Sequence, residues 1–125
     1  MSRYIRVYVL DDNTVIAPQL QRLLSLAGYE ATLFDHVDDL LHCLLVAPSS
    51  LVLADVVSPR PGGVLLAKRI RIASPGTKIL LFALQSSFAY LWEPPQTKHT
   101  FFRLLRRPID PETLLRDVRI FLESG

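Results

Sequence analysis

Tyr4-Ile-Arg-Val-Tyr-Val-Leu-Asp-Asp-Asn13 is an apolar run that stops on two adjacent carboxylates, Asp11 and Asp12. Leu51-Val-Leu-Ala-Asp55 is a second apolar run, and it too stops on a carboxylate. Short runs rich in Val, Leu and Tyr read as strands. If both are parallel strands of one sheet, all three acids meet at its carboxyl edge, where open α/β sheets place their chemistry. Clustered acids repel one another, so they need a cation or must hold protons. The arrangement asks for a metal.

Outward from these runs, apolar stretches alternate with helical patterns, as a βαβ series requires. A helix from Asn13 or Thr14 to Ala27 follows the first strand, with Ile16, Leu20, Leu23, Leu24 and Ala27 as its apolar stripe and Gly28 to terminate it. Pro18 is awkward inside that helix and delays its regular start. Tyr29 to Phe34 reads as a second strand, and Asp35 as the N-cap of a helix carrying Val37, Leu40, Leu41, Leu44 and Leu45. After Asp55, Ser58-Pro-Arg-Pro-Gly-Gly63 is a loop by composition. A third helix, about 63 to 73, ends before Pro75-Gly76, and Lys78 to Ala83 is a fourth strand. Ser86 to Trp92 suits a short fourth helix that Pro94-Pro95 must end. Phe101 to Leu105 is a fifth strand, broken by Arg107-Pro108. In the last helix Asp110 caps, Pro111 takes the first helical position and Glu112 favours the positive dipole end. Leu114, Leu115, Val118, Phe121 and Leu122 face its core side. The pattern is (βα)5 in a single domain, 1–125, with no repeat or linker.

Composition agrees. Half of the 125 residues are hydrophobic and 21% are charged, which is globular rather than disordered. No apolar run approaches the roughly 18 to 20 residues of a membrane span, and the start leads straight into a strand, so no signal peptide is expected. The single cysteine, Cys43, excludes an internal disulfide and fits a reducing cytoplasm. Set among leucines, it reads as an inert packed thiol. The net charge of +2 hides an asymmetry, since most bases fall after residue 57. A basic face could attract nucleic acid or an acidic partner, and solvated arginines on outer helices account for it equally well.

The acid pair after the first strand, the acid ending the third, and Asp55-Val-Val-Ser-Pro-Arg-Pro-Gly-Gly63 together resemble the receiver domain of bacterial two-component response regulators. Gly28-Tyr29-Glu30 and Arg107-Pro108 extend the resemblance over essentially the whole chain. It implies a flavodoxin-like (CheY-like), doubly wound parallel sheet ordered 2-1-3-4-5, with a shortened or irregular fourth helix. It also implies that Asp55 is the phosphoacceptor and that the donor is a histidine kinase or phosphotransfer protein. Mg2+ would be held directly by Asp12, Asp55 and the backbone carbonyl of Val57, with Asp11 acting through water. That set suits an ion that takes few protein carboxylates and retains water.

Several positions depart from the family pattern. Ala83 stands where the family carries a Ser or Thr hydroxyl, and Ser86 and Ser87 lie out of register for that role. Arg107 replaces the family's lysine, keeping charge but exchanging a compact ammonium for a planar fork. It could clamp phosphate bidentately or pair with Asp55. Its bond to Pro108 is a candidate cis peptide by resemblance. Leu104 replaces the usual aromatic switch, Ser58 a usual methionine and Gly62 a usual acid. Phe88, Leu91 and Trp92 share a face of the short fourth helix. With the fifth strand and the last helix they fall on the surface that receivers use for dimers and output partners. The expectation is an atypical receiver with an altered phosphorylation switch, and the alternative is a pseudo-receiver that binds proteins without phosphate.

Other functions fit less well. A phosphatase of the haloacid dehalogenase type needs Asp-x-Asp-x-Thr, and Asn13 stands where its second carboxylate belongs. No Gly-x-Gly-x-x-Gly follows the first strand, and His36, His42 and His99 suggest no metal cage. No independent enzymatic activity is expected. Arg103, Arg106 and Arg107 without a helix-turn-helix support at most nonspecific phosphate contact, so no direct nucleic-acid partner or membrane is expected.

Overall fold

The computed structural model describes residues 5–55, 62–84, 102–107 and 110–123. Its strands are β1 (Arg6–Leu10), β2 (Glu30–Phe34), β3 (Leu51–Asp55), β4 (Lys78–Leu84) and β5 (Phe102–Arg107). They form one five-stranded sheet in the order β2-β1-β3-β4-β5, and every pairing is parallel. The described helices are α1 (Ile16–Leu26), α2 (Val37–Val46), α3 (Val64–Ala73) and α4 (Pro111–Glu123). The expected doubly wound order is therefore present. The fourth helix expected at Ser86 to Trp92, its end at Pro94-Pro95 and residues 56–61 lie outside the described residues, whereas Gly62 and Gly63, expected as the end of a loop, already take helical backbone.

The central strands are apolar on both faces because helices cover both, as a parallel sheet requires. Period-two alternation sorts their side chains between two cores. Val7, Val9, Leu51, Leu53, Leu80 and Phe82 pack with Leu24 of α1 and Leu114, Val118 and Phe121 of α4. Tyr8, Leu10, Val52, Ala54, Ile79 and Leu81 pack with Leu40 and Leu44 of α2 and Leu66, Ala67 and Ile70 of α3. Thirteen of these strand and helix residues are wholly buried, and truncating a large one such as Leu53 or Ile70 to alanine would cost about 2–5 kcal/mol.

Element ends follow local chemistry. α1 starts at Ile16, later than Asn13 or Thr14, and so places Pro18 in its first turn, where a missing N–H costs nothing. Asn13 Oδ1 nevertheless closes that end, accepting the N–H groups of Val15 and Ile16 at 2.9 Å each. At the other end Gly28 takes φ +96°, a left-handed conformation that costs glycine little. Its N–H donates to Ser25 O and that of Tyr29 to Leu24 O, both at 3.1 Å, a paired closure of the last turn.

Asp35 does not cap α2. That helix begins at Val37, so His36 occupies the capping position without a side-chain bond, and Asp38 and Asp39 offset the dipole from the first turn. α4 matches expectation: Asp110 Oδ2 accepts the Thr113 N–H at 3.1 Å. β5 runs on past the expected end at Leu105 to Arg107. The residue before a proline is driven toward extended backbone, so Arg107-Pro108 prolongs the strand by the same sterics that then end it.

The amino edge of the sheet is closed by polar side chains. Thr77 Oγ1 donates to Ser49 O at 2.7 Å and lies 2.6 Å from Ser74 Oγ, while Ser49 Oγ donates to Leu51 O at 3.0 Å. Tyr8 reaches the same end, its hydroxyl donating to Ala47 O at 2.5 Å. Lys78 Nζ, at the start of β4, donates to the Phe121 and Leu122 carbonyls of the last α4 turn at 2.5 and 3.4 Å. Arg103 of β5 lies 4.6 Å from the centre of the Phe121 ring. Among the described residues no helix is long and apolar enough to cross a membrane.

Candidate functional site

The carboxyl edge is where the strand ends leave their acids. The N–H of Asp11 still donates to Phe34 O at 3.0 Å, so the ladder between β1 and β2 runs one residue past Leu10. The side chain of Asp11 is 6% exposed, and its Oδ1 accepts the Asn13 N–H at 2.9 Å. Asp12 follows on the surface, and Asp55 closes β3 half-buried. Leu10 pairs with Ala54, which sets Asp11 and Asp55 level on neighbouring strands. Val9 and Leu53, two residues earlier on each strand, belong to the same core, so the two acids share a face parity.

The sheet register brings the other predicted positions to this edge along the backbone. Asp55 pairs with Phe82, so Ala83 lies one residue beyond the level of Asp55. Ala83 pairs with Arg106, Leu84 with Arg107 and Leu81 with Leu104. Arg107 therefore stands at the outermost register position of β5, and Leu104 one step inside the level of Asp55. Val57 and the Arg107-Pro108 bond geometry fall outside the described residues.

A hollow of about 380 Å3 opens at this edge between the first turn of α1 and the end of β2. Asp11, Asp12 and Asn13 line it together with Leu33, Phe34 and Asp35. Asp35 is the wall residue that sequence reasoning assigned to a different task. The signal that finds it is register: Leu10 pairs with Phe34, so Asp35 follows β2 at the level where Asp11 follows β1.

Among the described residues no group of three or more His, Cys, Asp or Glu side chains is gathered tightly enough to hold a metal ion. The donors themselves are hard carboxylate oxygens at adjoining strand ends. They suit an ion that binds one or two protein carboxylates and keeps much of its water, as Mg2+ does.

No family model matches the chain. Similar proteins include the response regulator receiver protein CpdR of Brucella abortus, 26% identical over 117 residues that cover 94% of this chain and 96% of that protein. The DNA-binding transcriptional regulator NtrC of a Bradyrhizobium strain is 28% identical over 109 residues, covering 87% of this chain. The chain spans only 22% of the length of that regulator. Among solved structures, the chemotaxis response regulator CheY4 of Vibrio cholerae superposes with a TM-score of 0.77 at 25% identity. The match covers 94% of this chain and 98% of that one.

Proposed function

This chain belongs to the receiver-domain family of two-component response regulators, and on that premise we propose that it accepts a phosphoryl group on Asp55 from a histidine kinase or phosphotransfer protein. The observation that carries the reading is the shared level of Asp11 and Asp55 at the carboxyl edge, with Asp12 beside them. An Asp55 carboxylate oxygen would attack phosphorus; the bond from phosphorus to the donor nitrogen would break, leaving an aspartyl phosphate and a neutral donor imidazole once that nitrogen takes a proton.

Carboxylate and phosphodonor are both anionic, so their approach needs positive charge. Mg2+, when bound by Asp12, Asp55 and the carbonyl of Val57, with Asp11 through water, would supply charge neutralisation and orientation there. Asp11 is suited to a supporting part because burial and the Asn13 N–H limit its carboxylate to one orientation. At the outer end of β5 the backbone register sets Arg107 beside Leu84; by resemblance it would take the part of the family's lysine, and a permanently charged planar fork can pair with phosphoryl oxygens two at a time. Ala83 brings no hydroxyl to the site and Leu104 no ring hydroxyl, so the response to phosphate would run through Arg107 and the backbone. Dimer or output contacts are assigned to the face built from the fourth helical segment, β5 and α4, and the compartment to the cytoplasm.

The test is a small phosphodonor such as phosphoramidate with Mg2+, followed by intact-mass measurement. A phosphoryl adduct adds about 80 Da. The wild type gains it and Asp55→Asn does not. A wild type that stays unmodified while a known receiver in the same tube is labelled overturns the acceptor reading and leaves the chain a phosphate-independent binding module.

A further inference from the structure

We propose that Asn13 is a positioning residue of the acidic pocket, fixing the carboxylates of Asp11 and Asp12 by tying them to the start of α1. The inference rests on the Mg2+-binding reading above and deepens it.

Asn13 is engaged from three sides. Its N–H donates to Asp11 Oδ1 at 2.9 Å. Its own Oδ1 accepts the N–H groups of Val15 and Ile16 at 2.9 Å. Its carbonyl accepts the Ala17 N–H at 3.0 Å. On the strand side, Asp11 is anchored by its N–H to Phe34 O at 3.0 Å. Asp12 is the one residue between two anchored neighbours. Its backbone cannot rotate without breaking the Asp11 contact or the α1 closure, although its side chain is exposed.

The orientation matters because clustered carboxylates drift apart when nothing restrains them, and a weakly held, hydrated cation cannot by itself repay that ordering. Groups that orient metal ligands from behind typically carry a 10–100-fold share of metal affinity. Asn13 is placed to do so without donating to the ion: its side-chain oxygen is committed to two amides of the helix start.

The experiment titrates Mg2+ alone into the wild type, Asn13→Ala and Asn13→Ser, following backbone amide NMR shifts at Asp11, Asp12 and Asp55, with thermal melts of all three proteins. Asn13→Ala should bind Mg2+ about tenfold more weakly. Asn13→Ser should recover most of that loss, because a serine hydroxyl accepts the same helix-start amides. Recovery by serine, accompanied by recovery of the Val15 and Ile16 amide shifts in the metal-free protein, ties the effect to the helix-start bonds. It also keeps the test decisive if the alanine variant fails to fold. Wild-type affinity in Asn13→Ala, or an Asn13→Ser as weak as the alanine variant, overturns the assignment. If the wild type itself shows no response to Mg2+, the metal reading falls and takes this inference with it. A responding wild type with unchanged variants removes Asn13 alone.

Discussion

The two edges of the sheet handle polar groups in opposite ways. At the amino edge Ser49, Ser74 and Thr77 are each 5% exposed and bond to one another or to nearby carbonyls. Donors there meet acceptors, and the edge is complete without any outside group. At the carboxyl edge β5 ends in Arg107, but β1, β2 and β3 end in Asp11, Asp35 and Asp55, with Asp12 alongside, four acids of one charge sign. Such groups cannot satisfy one another. The first edge contributes stability, and the second holds charges in a place that folding alone would not choose, which is how functional sites commonly differ from their scaffold.

Thr77→Val should break the amino edge and produce the largest loss. It keeps the shape but deletes a hydroxyl that serves Ser49 O and Ser74, leaving buried groups unsatisfied at a cost of about 2 kcal/mol. Urea unfolding measures it, and phosphoryl uptake by Asp55 should be unchanged. A loss of uptake with folding intact would mean the edges are not independent.

Tyr8 sharpens the contrast through pH. Burial pushes its phenol above the usual value of 10.0. The folded chain therefore keeps the proton at pH values where the unfolded chain releases it, so this contribution is whole below about pH 10 and is lost as pH rises through the folded value. Tyr8→Phe should flatten that alkaline limb in melts recorded across it. An unchanged slope would show that another group governs it.

The smallest effect belongs to the carboxyl edge. Asp12→Asn removes one like charge from an exposed position, so stability without Mg2+ should rise by at most about 0.5 kcal/mol. The same change should weaken Mg2+ binding in titration. A variant that loses stability without metal would contradict the view of this edge as a store of repulsion.

Much of this contrast was legible in residues alone. Alternating runs ending in Asp11 and Asp55 indicated parallel strands and an acidic edge, because a period of two and a terminal charge are local properties. Asp110, Pro111 and Gly28 also marked their helix ends correctly, since capping depends on near neighbours. Two features were not legible for the same reason as each other. Asp35 was read as a cap because its adjacency to Val37 is visible in sequence, whereas its place in the hollow depends on the pairing of Leu10 with Phe34. Asn13 was read as a candidate helix start and as a missing catalytic acid, whereas its several hydrogen bonds depend on a turn that forms once β1 and α1 are in place. The added length of β5 was carried by Pro108, whose effect on the preceding residue was read as a break.

The fastening of α4 has a mechanical consequence. Lys78 and Arg103 hold the helix at Phe121, near its carboxyl end and far from the acids. The helix has 13 residues and is roughly 20 Å long. Leu114 and Val118 seat the rest of the helix in the same core as Phe121, so it is fastened along its length as well as at its tip. Any displacement of α4 therefore has to carry Leu114, Val118 and Phe121 together, and with them the carbonyls that Lys78 holds.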